Sequence, residues 1–259
     1  MKFGVHFTQN GGEDWMPIQK GLPTIAVRDM AIQKEENDLV LGTFGRSFYV
    51  LDDYSPLRSL NDEVKNKDAH IFPVKDGLLY IQTNPLGGRG KSHQGASYYA
   101  APNPQHGVIF RYYVKEKPTT IKERRQKSEA PLKKEYKDVT YPPLDSLRAE
   151  DREEDPFLLF VIKDESGKVI RKIKERPGKG MRQTHWNMRY PTTTPIKLKV
   201  NPPGRYSSWD EGPYAVPGQY TVSLWQVHEG EVERLTDDTP FTLKTLDGTS
   251  YSASEVKKL

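Results

Sequence analysis

LVLGTFGRSFYVLDDYSPLR, residues 39–58, holds two short apolar runs hinged at a bend between Gly42 and Gly45, and it closes on the paired carboxylates Asp52 and Asp53. Short apolar runs bounded by glycine are strand signals, and glycine supplies the backbone freedom that a tight reversal needs. Upstream, TIAVRDMAIQ (24–33) alternates apolar and polar side chains with period two, and EEND (35–38) is a charged turn. Further back, FGVHF (3–7) alternates into the turn QNGGED (9–14), and Trp15 to Ile18 begins another short strand. A handful of strands over about 50 residues is the size of one β-propeller blade. A single blade cannot bury both faces of its sheet, so the segment is expected to need neighbours.

Downstream of residue 55 the pattern changes. Residues 56–70 read as a polar connector, helical or irregular, and 71–84 return to an apolar, strand-like run. LGGRGKSHQGASYYAAPNPQHG (86–107) is rich in Gly, Asn and Pro and reads as a long ordered loop, followed by the strand HGVIFRYYV (106–114). Charge runs punctuated by Pro fill 115–155, an expected insertion of helix and loop between two strands. A calmodulin-like or anionic-partner site is one reading of that insertion, and a solvated surface is the other. DPFLLFVIKDESGKVIRKIKE (155–175) predicts a hairpin turning at ESGK, GMRQTHWNMRYP (180–191) a further strand, and the run from Pro217 to Leu246 two or three more. About seven strands with closely spaced turns fit an immunoglobulin or fibronectin-like sandwich. The expected organisation is therefore all-β: a partial propeller blade (1–55), the connector (56–70), a sandwich (71–245) carrying the charged insertion (115–155), and a tail (246–259).

Composition agrees with that class. Hydrophobic residues make up 35% of the chain, charged residues 29%, and mean hydropathy is -0.78, which leaves much polar loop and surface. The 20 glycines and 20 prolines favour short strands over long helices. A net charge of +4 spread over interleaved acids and bases gives no expectation of nucleic-acid binding. Cysteine is absent, so disulfides and thiolate metal sites are excluded. No apolar stretch approaches the roughly 20 residues that span a bilayer. MKFGVHFTQNGG, residues 1–12, lacks the apolar core of a signal peptide, so any export signal is expected to precede Met1.

Two motifs carry a family resemblance. Thr8, Asn10, Gly12 and Trp15 fit the Asp-box pattern S/T-x-D-x-G-x-x-W, with Asn10 in place of the usual Asp. Such a box ties down a hairpin turn through its third-position side chain, relieves it at Gly, and packs Trp between sheets. The 39–58 stretch resembles the sequence that ends the propeller of bacterial sortilin-like, BNR-repeat proteins, G-T-H-G-R-S/G then D-D-x-x-P-L-R, with Phe44 where the family commonly has His. YYAAPNPQHGVIFRYYVKE, GMRQTHWNMRYP and GPYAVPGQYTVSLWQVHEGE resemble that family's C-terminal stretches in order, and the last two are also similar to immunoglobulin-like domains of bacterial hook-capping proteins.

The resemblance implies a periplasmic, cell-surface or extracellular protein, often labelled a glycosyl hydrolase, whose remaining blades lie outside this chain. In it Trp186 and Tyr220 are expected to anchor the sandwich core, with Gly218 setting the turn into the last hairpin. Arg46 has two readings: a structural partner of Asp52 or Asp53, or a ligand-binding cation in the propeller channel.

No catalytic constellation is legible. Asp52 and Asp53 are adjacent, and neighbouring strand residues point to opposite faces, which does not suit a carboxylate pair flanking a glycosidic bond. GGRGKS (87–92) lacks phosphate-loop spacing. His6, His70, His93, His106, His185 and His228 lie singly, without a ligand partner at i+2 or i+4, so neither metal nor cofactor is expected. The leading expectation is a non-catalytic binding or scaffold segment whose propeller takes a protein, peptide or glycan, with missing blades or a partner chain at the open blade edge. The alternative is the accessory C-terminal region of a propeller glycoside hydrolase whose catalytic carboxylates lie upstream.

Overall fold

The computed structural model describes residues 4–18, 21–80, 101–193 and 211–246. The chain divides into two compact units, 1–66 and 67–259. The loop expected at 86–107 lies mostly outside the described residues, as does the tail beyond Leu246.

In the first unit, β1 (Val5–Phe7) and β2 (Met16–Ile18) form an antiparallel hairpin that sets Val5 opposite Ile18. β3 (Val27–Gln33), β4 (Asp38–Thr43) and β5 (Phe48–Leu51) form a separate three-stranded antiparallel meander with β4 in the middle. The strands read before residue 52 thus fall into two sheets, because β3 spends its ladder hydrogen bonds on β4. A backbone bond, Gly4 N–H to Ile25 O at 3.0 Å, ties the start of the hairpin to the chain entering β3. The connector is helical: α1 (Ser55–Ser59) begins with Pro56 in its first turn, and α2 (Asp62–Asn66) is capped by Asn61, whose Oδ1 accepts from Val64 N–H.

The second unit is larger. β6 (Ala69–Ile71), β7 (Gly77–Leu79) and β8 (Val108–Val114) precede the helical insertion, α3 (Ile121–Lys134) and α4 (Leu144–Arg152). There follow β9 (Phe157–Asp164), β10 (Val169–Glu175), β11 (Gly180–Trp186), β12 (Arg189–Pro191), β13 (Glu211–Tyr214), β14 (Gly218–His228), β15 (Glu231–Arg234) and β16 (Thr239–Thr245). One sheet runs β10, β9, β14, β16, β7, with β15 also paired to β14; a second runs β11, β8, β6; β12 and β13 pair separately. All these pairings are antiparallel except β16 with β7.

The two larger sheets face each other across an aromatic core. On β8 the period-two pattern buries Val108, Phe110, Tyr112 and Val114 and turns the intervening residues outward. Phe110 and Tyr112 meet Phe160 of β9 at centroid distances of 6.1 and 4.9 Å, and Trp186 of β11 meets Tyr220 of β14 and Phe241 of β16 edge-on at 5.7 and 6.1 Å. Edge-to-face and offset contacts at these distances add to the area that the rings bury. Gly107, with φ +125°, makes the approach feasible at one end, since a Cβ there would sit 2.0 Å from the Trp186 carbonyl oxygen.

Burial separates the units. Eighteen buried side chains form the core of the second. In the first, among the described residues, the buried apolar side chains are Val5, Leu41, Val64 and Pro56. Trp186 is 1% exposed and Trp15 is 56% exposed. Trp186→Ala is expected to destabilise the second unit by about 3–5 kcal/mol in denaturant unfolding, and Trp15→Ala to change stability by less than about 0.5 kcal/mol.

Candidate functional site

The turn between β1 and β2 is built almost entirely from its own side chains. Thr8 Oγ1 accepts from Gly12 N–H at 3.0 Å and donates to Asn10 Oδ1 at 2.9 Å, and the same Oδ1 accepts from Asp14 N–H at 3.0 Å. Gly11 and Gly12 take φ of +74° and +105°, values that favour glycine. Trp15 Nε1–H donates to Gly12 O at 2.9 Å, which lays the indole along the turn with more than half its surface open. Asn10 in place of Asp has a local reason: its Nδ2 donates to Asp14 Oδ2 at 2.9 Å, where a carboxylate would meet another carboxylate.

At the second motif, β4 and β5 are joined by a turn in which Gly45 has φ +76° and Ser47 φ +64°. Thr43 N–H and Oγ1–H both donate to Ser47 O, at 3.2 and 2.6 Å. Gly42 lies in β4 opposite Asp29, where the ladder to β3 shifts register. Arg46 is exposed on the turn. Phe44, also exposed, stacks under the Arg28 guanidinium at 4.9 Å.

Asp52 and Asp53 separate: Asp52 is exposed, whereas Asp53 is buried with φ +52°. Asp53 N–H donates to Asp38 Oδ1 at 2.8 Å, and its Oδ1 accepts from Ser55 N–H and Oγ–H at 3.2 and 2.5 Å, which fixes the entry to α1.

The meander presents apolar side chains on both faces. Register places Met30, Ile32, Leu39, Leu41, Tyr49 and Leu51 on one face and Val40, Phe48 and Val50 on the other. Met30, Ile32, Phe48 and Val50 are all more than half exposed. Edge strands β3 and β5 each have one side without a partner strand among the described residues.

In the second unit, Tyr220 OH donates to Val216 O at 2.6 Å, and burial, then its hydrogen bond with Tyr190, pushes the phenol well above its ordinary pKa. Trp186 Nε1–H donates to Arg189 O at 3.0 Å. Gly218 opens β14 opposite Leu243, and the reversal from β14 to β15 is made by Glu229 and Gly230, with φ of +53° and +80°.

The insertion's cations are largely committed within the protein. Arg125 grips Glu150 through Nε and Nη2 at 2.6 and 2.8 Å and reaches Glu129 through Nη1 at 2.7 Å; Lys133 holds the other Glu129 oxygen at 2.8 Å. Arg125, Glu129 and Glu150 line an open cleft of about 640 Å³ between α3, the 138–143 segment and α4, and Arg124, which also lines it, pairs with Glu229. Lys133 and Arg125 hold Glu129, and Arg125 holds Glu150, below the ordinary glutamate range. Arg125, Lys133, Glu129 and Glu150 thus form an internally paired network on this surface.

One cluster was not legible from local spacing. Glu153, His228 and Glu229 each offer a ligand atom, and these atoms lie within 4.8 Å of one another. His228 Nε2 is 3.9 Å from both Glu153 Oε1 and Glu229 Oε1. Neither Glu153 Oε1 nor His228 Nε2 has a hydrogen-bond partner, and both atoms are shut off from solvent. No helix among the described residues is long and apolar enough to cross a membrane.

Comparison with protein-family models, with curated proteins and with solved structures finds no match to this chain.

Two outcomes are expected. Asn10→Asp opposes two carboxylates and should weaken the hairpin by about 1 kcal/mol at neutral pH, seen as faster amide exchange at Gly12 and Asp14, with Asn10→Asp/Asp14→Asn restoring protection. Because the folded-state pKa values of Glu129 and Glu150 lie below the unfolded ones, their stabilisation is complete above the ordinary value of about 4.5 and falls away as pH drops through the folded values. Protection factors in α3 and α4, corrected for the intrinsic pH dependence of exchange, should therefore fall in acid below that value, and Arg125→Ala should produce the same loosening at neutral pH.

Proposed function

We propose that the chain is a non-catalytic binding or scaffold segment of the sortilin-like, Asp-box propeller class, exported by resemblance to that class. The observation that carries this reading is the exposure of Met30 and Ile32 on one face of the meander and Phe48 and Val50 on the other. A sheet with apolar residues open on both faces is suited to lie between two others, as a propeller blade does. The side-chain-locked turn at 8–15, with its Trp15 ring uncovered, supports the same reading.

The second unit is read as an immunoglobulin-like sandwich. Support comes from the buried Trp186 and from Tyr220, whose hydroxyl bonds back to the backbone just upstream of β14 in the manner of a tyrosine corner. The partners proposed for the first unit are other blades, a protein, a peptide or a glycan that covers the meander, and neither nucleic acid nor a cofactor enters the reading.

Asp53 is buried and bonded to Ser55, whereas Asp52 is exposed. The 259-residue chain is accordingly expected to show no turnover of oligosaccharides above blank. Measurable turnover abolished by Asp52→Asn or Asp53→Asn would overturn the non-catalytic reading. In sedimentation over a concentration series, association through the open faces should fall in Met30→Lys and Phe48→Lys while the unfolding midpoint of the second unit stays put. Association indifferent to both substitutions would remove the support for these faces as the binding surface.

A further inference from the structure

Glu153, His228 and Glu229 come from two elements far apart in sequence. Glu153 is the C-cap of α4, His228 ends β14, and Glu229 opens the turn to β15 in a left-handed conformation that a glutamate adopts at a cost. The Glu153 side chain is 5% exposed, and its two oxygens are unlike. Oε2 accepts from Ile121 N–H at 2.7 Å, at the start of α3, whereas Oε1 faces His228 Nε2 without a hydrogen bond.

A buried carboxylate oxygen and a buried imidazole nitrogen left without partners each cost stability. A proton shared between them would draw them to hydrogen-bond distance, near 2.7–2.9 Å. Instead Nε2 stands 3.9 Å from each carboxylate oxygen. Donors around one tetrahedral ion with bonds of about 2.0–2.2 Å are separated by roughly 3.3–3.6 Å, so each 3.9 Å histidine–carboxylate distance needs to close by only a few tenths of an ångström, and all three ligand atoms already lie within 4.8 Å of one another.

We propose that Glu153, His228 and Glu229 form a binding site for one divalent ion of the zinc class, completed by water. One imidazole and two carboxylates suit zinc or a neighbouring transition ion better than calcium or magnesium, which prefer all-oxygen shells. Arg124 reaches the same Glu229 oxygen that faces His228, so the ion takes that oxygen in competition with the guanidinium. The backbone bond from Ile121 orients Glu153 as an outer-shell partner. Binding joins the end of α4, and through Ile121 the start of α3, to the β14–β15 hairpin, so the ion fastens the charged insertion to the sheet. The inference is independent of the proposed binding role of the first unit.

The test is a Zn²⁺ titration of the whole chain by calorimetry in a non-chelating buffer, with Co²⁺ absorption as a second probe. One ion per chain is expected, with affinity lowered more than about 100-fold in Glu153→Gln and in His228→Ala, since even outer-shell partners are worth 10–100-fold. His185→Ala, on β11, should bind as the unsubstituted chain does. Should a variant fail to fold, the His228 ring ¹⁵N shift of the unsubstituted chain must still move on adding Zn²⁺. Absence of saturable binding, binding unchanged in both site variants, or an unmoved His228 resonance would each overturn the proposal.

Discussion

The second unit depends on one packing arrangement: the Trp186 indole wedged edge-on against Tyr220 and Phe241 between facing sheets, with Phe110 and Tyr112 closing on Phe160 beside it. Rings on five strands meet only if β8 and β11 hold the register that sets Trp186 opposite Val108 and Gln183 opposite Arg111. A slip of one residue would turn this set outward, so the aromatic contacts and the strand register specify each other. Gly107 and the tyrosine hydroxyl bond to Val216 serve the same geometry, one by admitting the Trp186 backbone and the other by pinning the chain that enters β14.

Among its described residues, the first unit has no comparable centre. Its order comes from local devices: the Thr8 and Asn10 turn, the Thr43 to Ser47 turn, and the Asp53 anchor before α1. Such bonds set chain direction but bury little apolar surface, and hydrophobic burial is the larger share of folding free energy. The contrast between a well-packed second unit and a meander open on both faces is the physical basis for reading the first unit as a surface that is completed by something else.

What was legible in the sequence follows from how local each signal is. The alternation in 106–114, the ESGK reversal, and the Gly45 end of the bend expected between Gly42 and Gly45 reappear as β8, the β9–β10 turn and the β4–β5 turn, because each is determined within a few residues, whereas Gly42 lies within β4. The charged 115–155 segment resolves into two helices whose acids and bases largely satisfy one another, at i, i+4 spacing within α3 and across to α4 through Arg125 and Glu150, pairings that charge counting alone leaves open. Non-local features were not legible. The parallel pairing of β16 with β7, the division of the first five strands into two sheets, and the meeting of Glu153 with His228 rest on chain paths that no spacing rule encodes. The usefulness of Asn10 also depended on Asp14, a neighbour whose carboxylate becomes relevant only once the turn closes.

Native-state hydrogen exchange on the dilute 259-residue monomer tests the central contrast most directly. The account predicts strong protection in β8, β9 and β14 and weak protection through β3, β4 and β5. Protection through residues 27–51 as strong as that in β9 and β14 would contradict it, since the meander would then be stable without any covering surface.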